Sequence, residues 1–208
     1  MDLKIKQSNL STEAYNKIKL LILNGKLKSG EKIIQEKMAE KLGISKIPLI
    51  SALSILQKER LLTYVPGKGF CVRKIPLDEF HDLLDLRGVL EGLAAKKLSE
   101  NMTQLHKDVL ISYLESFKKY AKENDIDKYT EADKKFHFYI IESYKNAYLQ
   151  HINNSFNILI LIYSKGFKSD IKVSAADHEK IVQCIINNDG VGASNLMIEH
   201  FEKAKAYW

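Results

Sequence analysis

The chain is 208 residues long, 45% hydrophobic and formally +6 at neutral pH, enough to bury one large core or two modest ones. Its longest apolar runs, such as Leu20 to Leu23 and Ile158 to Ile162, are too short to cross a bilayer. The polar stretch Met1 to Leu10 has no export-signal pattern, and the distant cysteines Cys71 and Cys184 form neither a disulfide framework nor a metal-finger spacing, so cytoplasmic residence without a membrane partner is expected.

Charge is distributed unevenly. Residues 1–75 carry 15 Lys and Arg against 6 Asp and Glu, whereas residues 76–208 carry 17 against 20. An N-terminal region of that sign suits a polyanionic partner, and the rest of the chain suits another task.

The apolar spacing of Tyr15, Ile18, Leu21 and Ile22 predicts a helix over 11–25, capped by Ser11 and ended by Gly25. After a turn at Ser29 and Gly30 comes a short helix over 34–42, with Gly43 placed for a left-handed cap. A third helix is expected over 45–60, with Ser45 as N-cap and Pro48 tolerated in the first turn. The segments 62–65 and 70–73 are β-prone, and Pro66-Gly67-Lys68-Gly69 between them reads as a hairpin turn with a basic tip. Two helices joined by a tight glycine turn, followed by such a hairpin, make a winged helix-turn-helix over 1–75.

On a helical wheel of 45–60, Leu49, Ala52, Leu53 and Leu56 fall on the buried side. Lys46, Ile47, Ile50, Ser51, Ser54 and Lys58 fall on the outer one. Such a face suits the major groove of double-stranded DNA, with Ser45 at the helix start, where Lys reaches guanine and a branched apolar group meets a thymine methyl. Exposed Ile47 and Ile50 are the oddity of this face, because either DNA or another protein surface would cover them. Gly67 and Lys68 at the hairpin tip are placed for phosphate or minor-groove contact, and Lys17, Lys32 and Lys41 for salt-sensitive phosphate contact.

From Pro76 onward the periodicity is helical throughout, predicting an all-α bundle of six helices over 78–100, 103–123, 126–144, 147–166, 174–188 and 191–207. Within the apolar stripe Tyr129, Ala132, Phe136 and Ile140 stand Asp133 and His137, four residues apart and able to converge on one ion. His178 shares a face with Ile181, Val182 and Ile185, and His200 with Leu196, Met197 and Ala204. Buried polar groups need partners, and a single divalent cation would serve all four; three nitrogens and one oxygen suit Zn²⁺, with Ni²⁺ or Mn²⁺ as alternatives. Arg87 and Glu91 form an inward i, i+4 pair, readable as a buried ion pair or as a clamp for an anionic effector.

The residues Ser29-Gly30-Glu31, the run Met38 to Ser45, Pro48, Ala52-Leu53 and Gly67-Lys68-Gly69 resemble the GntR family of bacterial regulators. The family's recognition helix usually carries arginines where this chain has Lys46 and Ile50, and a glycine where it has Arg60. Leu86-Arg87, Leu90-Glu91, Asp133, Phe136-His137, Asn146, His178, Asp189 and His200 resemble the all-helical FCD effector domain of the FadR subgroup, in its six-helix, VanR-like form. In metal-binding members the ligands fall at the positions of Asp133, His137, His178 and His200. Tyr163 and Lys165 lie near where many members carry an effector-binding arginine. The resemblance implies a homodimeric transcriptional regulator, a repressor by type, that binds operator DNA and a small carboxylate effector and is not an enzyme. Two other functions fit the residues: a regulator for which the metal is the signal, and a metal-dependent hydrolase using the same four ligands.

Overall fold

The computed structural model describes residues 9–163 and 170–207, with side chains of the 147–163 helix described to Ser155. Contacts divide the chain into two compact units, one built on residues up to Ile75 and the other from Pro76 onward. The last turns of the 147–163 helix, from Asn157, group with the first unit. The expected run of that helix to 166, with Lys165, lies outside the described residues, as does the side chain of Tyr163.

The first unit contains α1 (Asn9–Leu23), α2 (Gln35–Leu42), α3 (Lys46–Lys58), β1 (Leu62–Val65) and β2 (Gly69–Val72). Ala14, Ile18 and Ile22, spaced by four, bury one stripe of α1, and Leu49, Ala52, Leu53 and Leu56 bury one side of α3. Tyr15, expected on the buried stripe of α1, is only half-buried; its hydroxyl donates to Glu59 Oε1 at 2.6 Å, tying α1 to the end of α3. Gly43, with a φ of 66°, ends α2 as expected. Ser45 precedes α3 in an extended conformation but makes no side-chain cap bond. Pro48, three residues on, has no N–H to give, which removes one of the two amides such a cap can accept from.

β1 and β2 pair antiparallel with Leu62 opposite Val72 and Val65 opposite Gly69. The turn needs left-handed backbone at Gly67 and Gly69, with φ of 74° and 89°. A third strip of backbone, unforeseen in the sequence, lies along β2: Ile33 N–H donates to Phe70 O, and Val72 N–H to Glu31 O, each at 2.8 Å.

The second unit is helical throughout its described residues: α4 (Leu77–Glu100), α5 (Gln104–Glu123), α6 (Ile126–Ser143), α7 (Ala147–Tyr163), α8 (Ile171–Ile186) and α9 (Gly190–Ala204), with a final 3-10 turn over Lys205–Tyr207. Acidic and hydroxyl caps fix the helix starts. Thr103, Asp125, Asp170 and Asp189 each accept a first-turn N–H. The Asp170 cap starts α8 three residues before the expected start at 174. α4 packs along α9 at short range, because a Cβ on Gly92 would stand 3.0 Å from the Ser194 carbonyl oxygen. Phe117, Phe136, Ile140, Ile181, Val182 and Met197 form the core around which the site is built.

Candidate metal centre and nucleic-acid interface

Asp133 and His137 come from α6, His178 from α8 and His200 from α9, and one donor atom from each lies within 4.8 Å of all the others. His137 Nε2 stands 3.3 Å from His178 Nε2 and 3.6 Å from Asp133 Oδ1, and His178 Nε2 stands 3.5 Å from that same oxygen. His137 and His178 are buried, His200 nearly so, and Asp133 keeps some exposure. Phe117 and Phe136 pack on the His178 ring, with centroids 4.5 and 4.9 Å away, and hold it in place.

Each imidazole has a group at its outer nitrogen. Glu91 Oε2 lies 2.5 Å from His137 Nδ1, the Tyr129 hydroxyl 3.2 Å from His178 Nδ1, and Asp177 Oδ2 3.8 Å from His200 Nδ1. Glu91 also accepts from Arg87 Nε at 2.6 Å, and Asp177 from Lys203 Nζ at 3.0 Å. A partner at Nδ1 fixes the ring and turns the Nε2 lone pair inward, as ligating histidines require.

The electrostatics are those of a cation site. Burial alone would lower His137, but Glu91 and Asp133 outweigh it and lift its pKa to about 9. Burial, then the charge of neighbouring His200, drives His178 well below the usual imidazole range, and burial lowers His200 as well. Asp133 is penalised by burial, yet His137, His178 and His200 hold its carboxyl below the ordinary range. Glu91 is likewise held down against burial by Arg87 and His137. A proton is thus favoured on His137 and disfavoured on His178 and His200.

The donor set fits a divalent metal. Around an ion bound at about 2.0–2.1 Å, tetrahedral donors stand about 3.3–3.4 Å apart, close to the 3.3–3.6 Å between the donors of Asp133, His137 and His178; the His200 donor lies within 4.8 Å of the others. Three nitrogens and one carboxylate oxygen match zinc and the later first-row divalent ions. Such an ion would supply Lewis acidity and, by expanding beyond four-coordination, a position for an oxygen ligand.

The four candidate ligands expected from the sequence lie together, but the groups behind them have no clear sequence signal. Arg87 and Glu91 are buried and paired, with the guanidinium 4.5 Å from the Phe201 ring centroid. The second contact of Glu91, to His137, joins residues 46 positions apart on different helices. No periodicity reveals such a pair. Asp177 stands beside His178 in the chain but serves His200, and that alternation of acid and imidazole was its only signal.

In the first unit, α3 presents Ile47 at 81% and Ile50 at 41% exposure, with Ser51 exposed beside them. Ser45, Lys46, Gly67 and Lys68 are also exposed. Lys46 Nζ donates to Glu36 Oε1 of α2 at 2.7 Å, a pairing between the two helices that the sequence did not announce.

A helix-turn-helix with a hairpin wing, followed by a helical unit in which Asp133, His137, His178 and His200 converge, defines a class: DNA-binding regulators with a helical second domain. The chain belongs to the GntR family of bacterial regulatory proteins, whose model matches residues 10–72, with an FCD domain matching residues 82–203. It is 24% identical over 193 residues to the HTH-type transcriptional regulator YdhC of Bacillus subtilis, covering 90% of this chain and 85% of that one. With the gluconate operon transcriptional repressor of Bacillus licheniformis it shares 26% over 167 residues, covering 79% and 68% of the two chains. Its fold matches that of Escherichia coli McbR/YncC with a TM-score of 0.75 at 20% identity, over 96% and 97% of the two chains. The protein is thus a DNA-binding transcriptional regulator and not an enzyme, so the hydrolase reading of the four ligands falls. Among the described residues, no helix is long and apolar enough to cross a membrane.

Proposed function

We propose that this chain is a ligand-responsive repressor that acts as a homodimer on a palindromic operator and senses a small carboxylate at a metal centre. The observation that carries the sensory part is the convergence of Asp133, His137, His178 and His200, each histidine with a partner behind it. These four residues hold a divalent ion, with zinc the best chemical match. Arg87 is the candidate for the anionic end of the effector: of the five guanidinium donors, Nε is directed to Glu91. Asn153 of α7 is buried with neither polar atom of its amide bonded among the described residues, which leaves it free to serve a polar ligand. On the DNA side, Ser45, Lys46, Ile47, Ile50 and Ser51 face the major groove, and Gly67 and Lys68 meet the backbone. The named repressor among the relatives supports the direction of control.

Regulation requires the effector to bind the operator-competent and operator-free states with different affinity. Fluorescence anisotropy of the full-length protein on the DNA upstream of its own gene tests this. We expect salt-sensitive, sequence-preferring binding by the zinc-loaded protein, and at least a tenfold loss of affinity with one member of a panel of hydroxy and dicarboxylic acids. A response to zinc and chelator alone would instead make the metal the signal. Affinity indifferent to metal and to every acid would overturn the sensory reading.

A further inference from the structure

We propose that this regulator reads thymine methyl groups, with Ile47 and Ile50 as its base-contacting residues. The inference rests on the reading of α3 as the element that faces DNA. With Leu49, Ala52, Leu53 and Leu56 buried, the 100° step per residue puts Ile47, Ile50, Ser51, Ser54 and Lys58 on the opposite face. Recognition helices of this type contact base edges with their N-terminal residues, so the first two turns decide what is read.

Those turns, Lys46 to Leu53, contain no Arg, Asn or Gln. The bidentate grips on guanine and adenine are therefore unavailable to them. Lys46 is the one cation there, and it is directed to Glu36. Ser51 pairs with donors and acceptors alike and selects no base. What remains is hydrocarbon: Ile47 is 81% exposed and Ile50 41% exposed. In the major groove one base edge offers hydrocarbon in return, the C5 methyl of thymine.

The surroundings suit this partner. α3 carries no acidic residue, and Lys37 and Lys41 on α2, Lys58 on α3 and Lys68 at the hairpin tip are all exposed. Cations spread in this way supply sequence-independent attraction to phosphate, leaving discrimination to the two isoleucines. Half-sites with thymines where the first turns of α3 dock follow from this division of labour.

The test removes the methyl and nothing else. A preferred duplex is selected from a random pool with the full-length protein, and its affinity is compared with duplexes carrying uracil at each thymine in turn. Burying one methyl corresponds to about a fourfold change in affinity. We expect about fourfold weakening at a contacted thymine and about sixteenfold at a symmetric pair. Ile47→Ser and Ile50→Ser each abolish the thymine–uracil difference at their own position, with unchanged circular dichroism because both side chains are exposed. A sequence-preferring protein indifferent to uracil at every position would overturn this inference alone, as would a difference that survives in both variants. Failure to select any sequence would overturn the reading of α3 as the DNA-facing element too.

Discussion

Glu91 shows how a single side chain serves stability and function together. It is fully buried, accepts from Arg87 Nε and stands against His137 Nδ1. Removing its charge leaves a buried guanidinium without its counter-ion, which costs about 3–5 kcal/mol in comparable cases. It also frees the His137 ring to turn, and losing such a supporting contact typically weakens metal affinity by about 10–100-fold. Glu91→Gln is therefore expected to be destabilised by about 3 kcal/mol in urea denaturation, and to lose zinc to a competing chelator dye at a lower dye concentration than the wild type. Wild-type zinc affinity in this variant would reduce Glu91 to a packing role. At this scale the sequence showed which residues point inward, because Asp133 and His137 interrupt an apolar stripe at helical spacing. Which carboxylate sits behind which imidazole depends on how separate helices dock, and that information is not local.

Among the elements, α3 carries the chain's departures from its family and their physical consequences. The helix ends at Lys58, and Arg60 two residues later adopts a φ of 59°, the left-handed region that glycine occupies at little cost. The resemblance implies a glycine at this position, and the backbone here takes the conformation that glycine adopts most easily. Arg60→Gly is expected to stabilise the folded protein by about 0.5–1 kcal/mol, since relief of the steric cost outweighs the added freedom of the unfolded chain. Thermal unfolding of the variant checks this, and a lowered Tm would mean that the Arg60 side chain makes a compensating contact. Element existence was legible throughout, while element starts were legible only where the capping residue was recognised. Asp170 extended α8 beyond expectation, and Ser45 precedes α3 without the cap bond its residue type suggests. The strip of backbone beside β2 had no sequence signal, because the residues from Gly30 to Ile33 show no strand alternation.

For the whole molecule, the division of charge along the sequence anticipates a division of labour. The basic segment folds as the winged helix-turn-helix, and the mildly acidic remainder supplies the ligand cluster. Each half keeps its specific chemistry on regular helices, where positions are held most rigidly.

The central claim is that the helical unit holds a divalent ion through Asp133, His137, His178 and His200. Native mass spectrometry of the full-length chain after zinc reconstitution tests it most directly. The account predicts a dimer with one ion per chain, and a His178→Ala variant that remains folded and dimeric but carries none. Wild-type protein that retains no ion, or a variant that retains as much as the wild type, would contradict it.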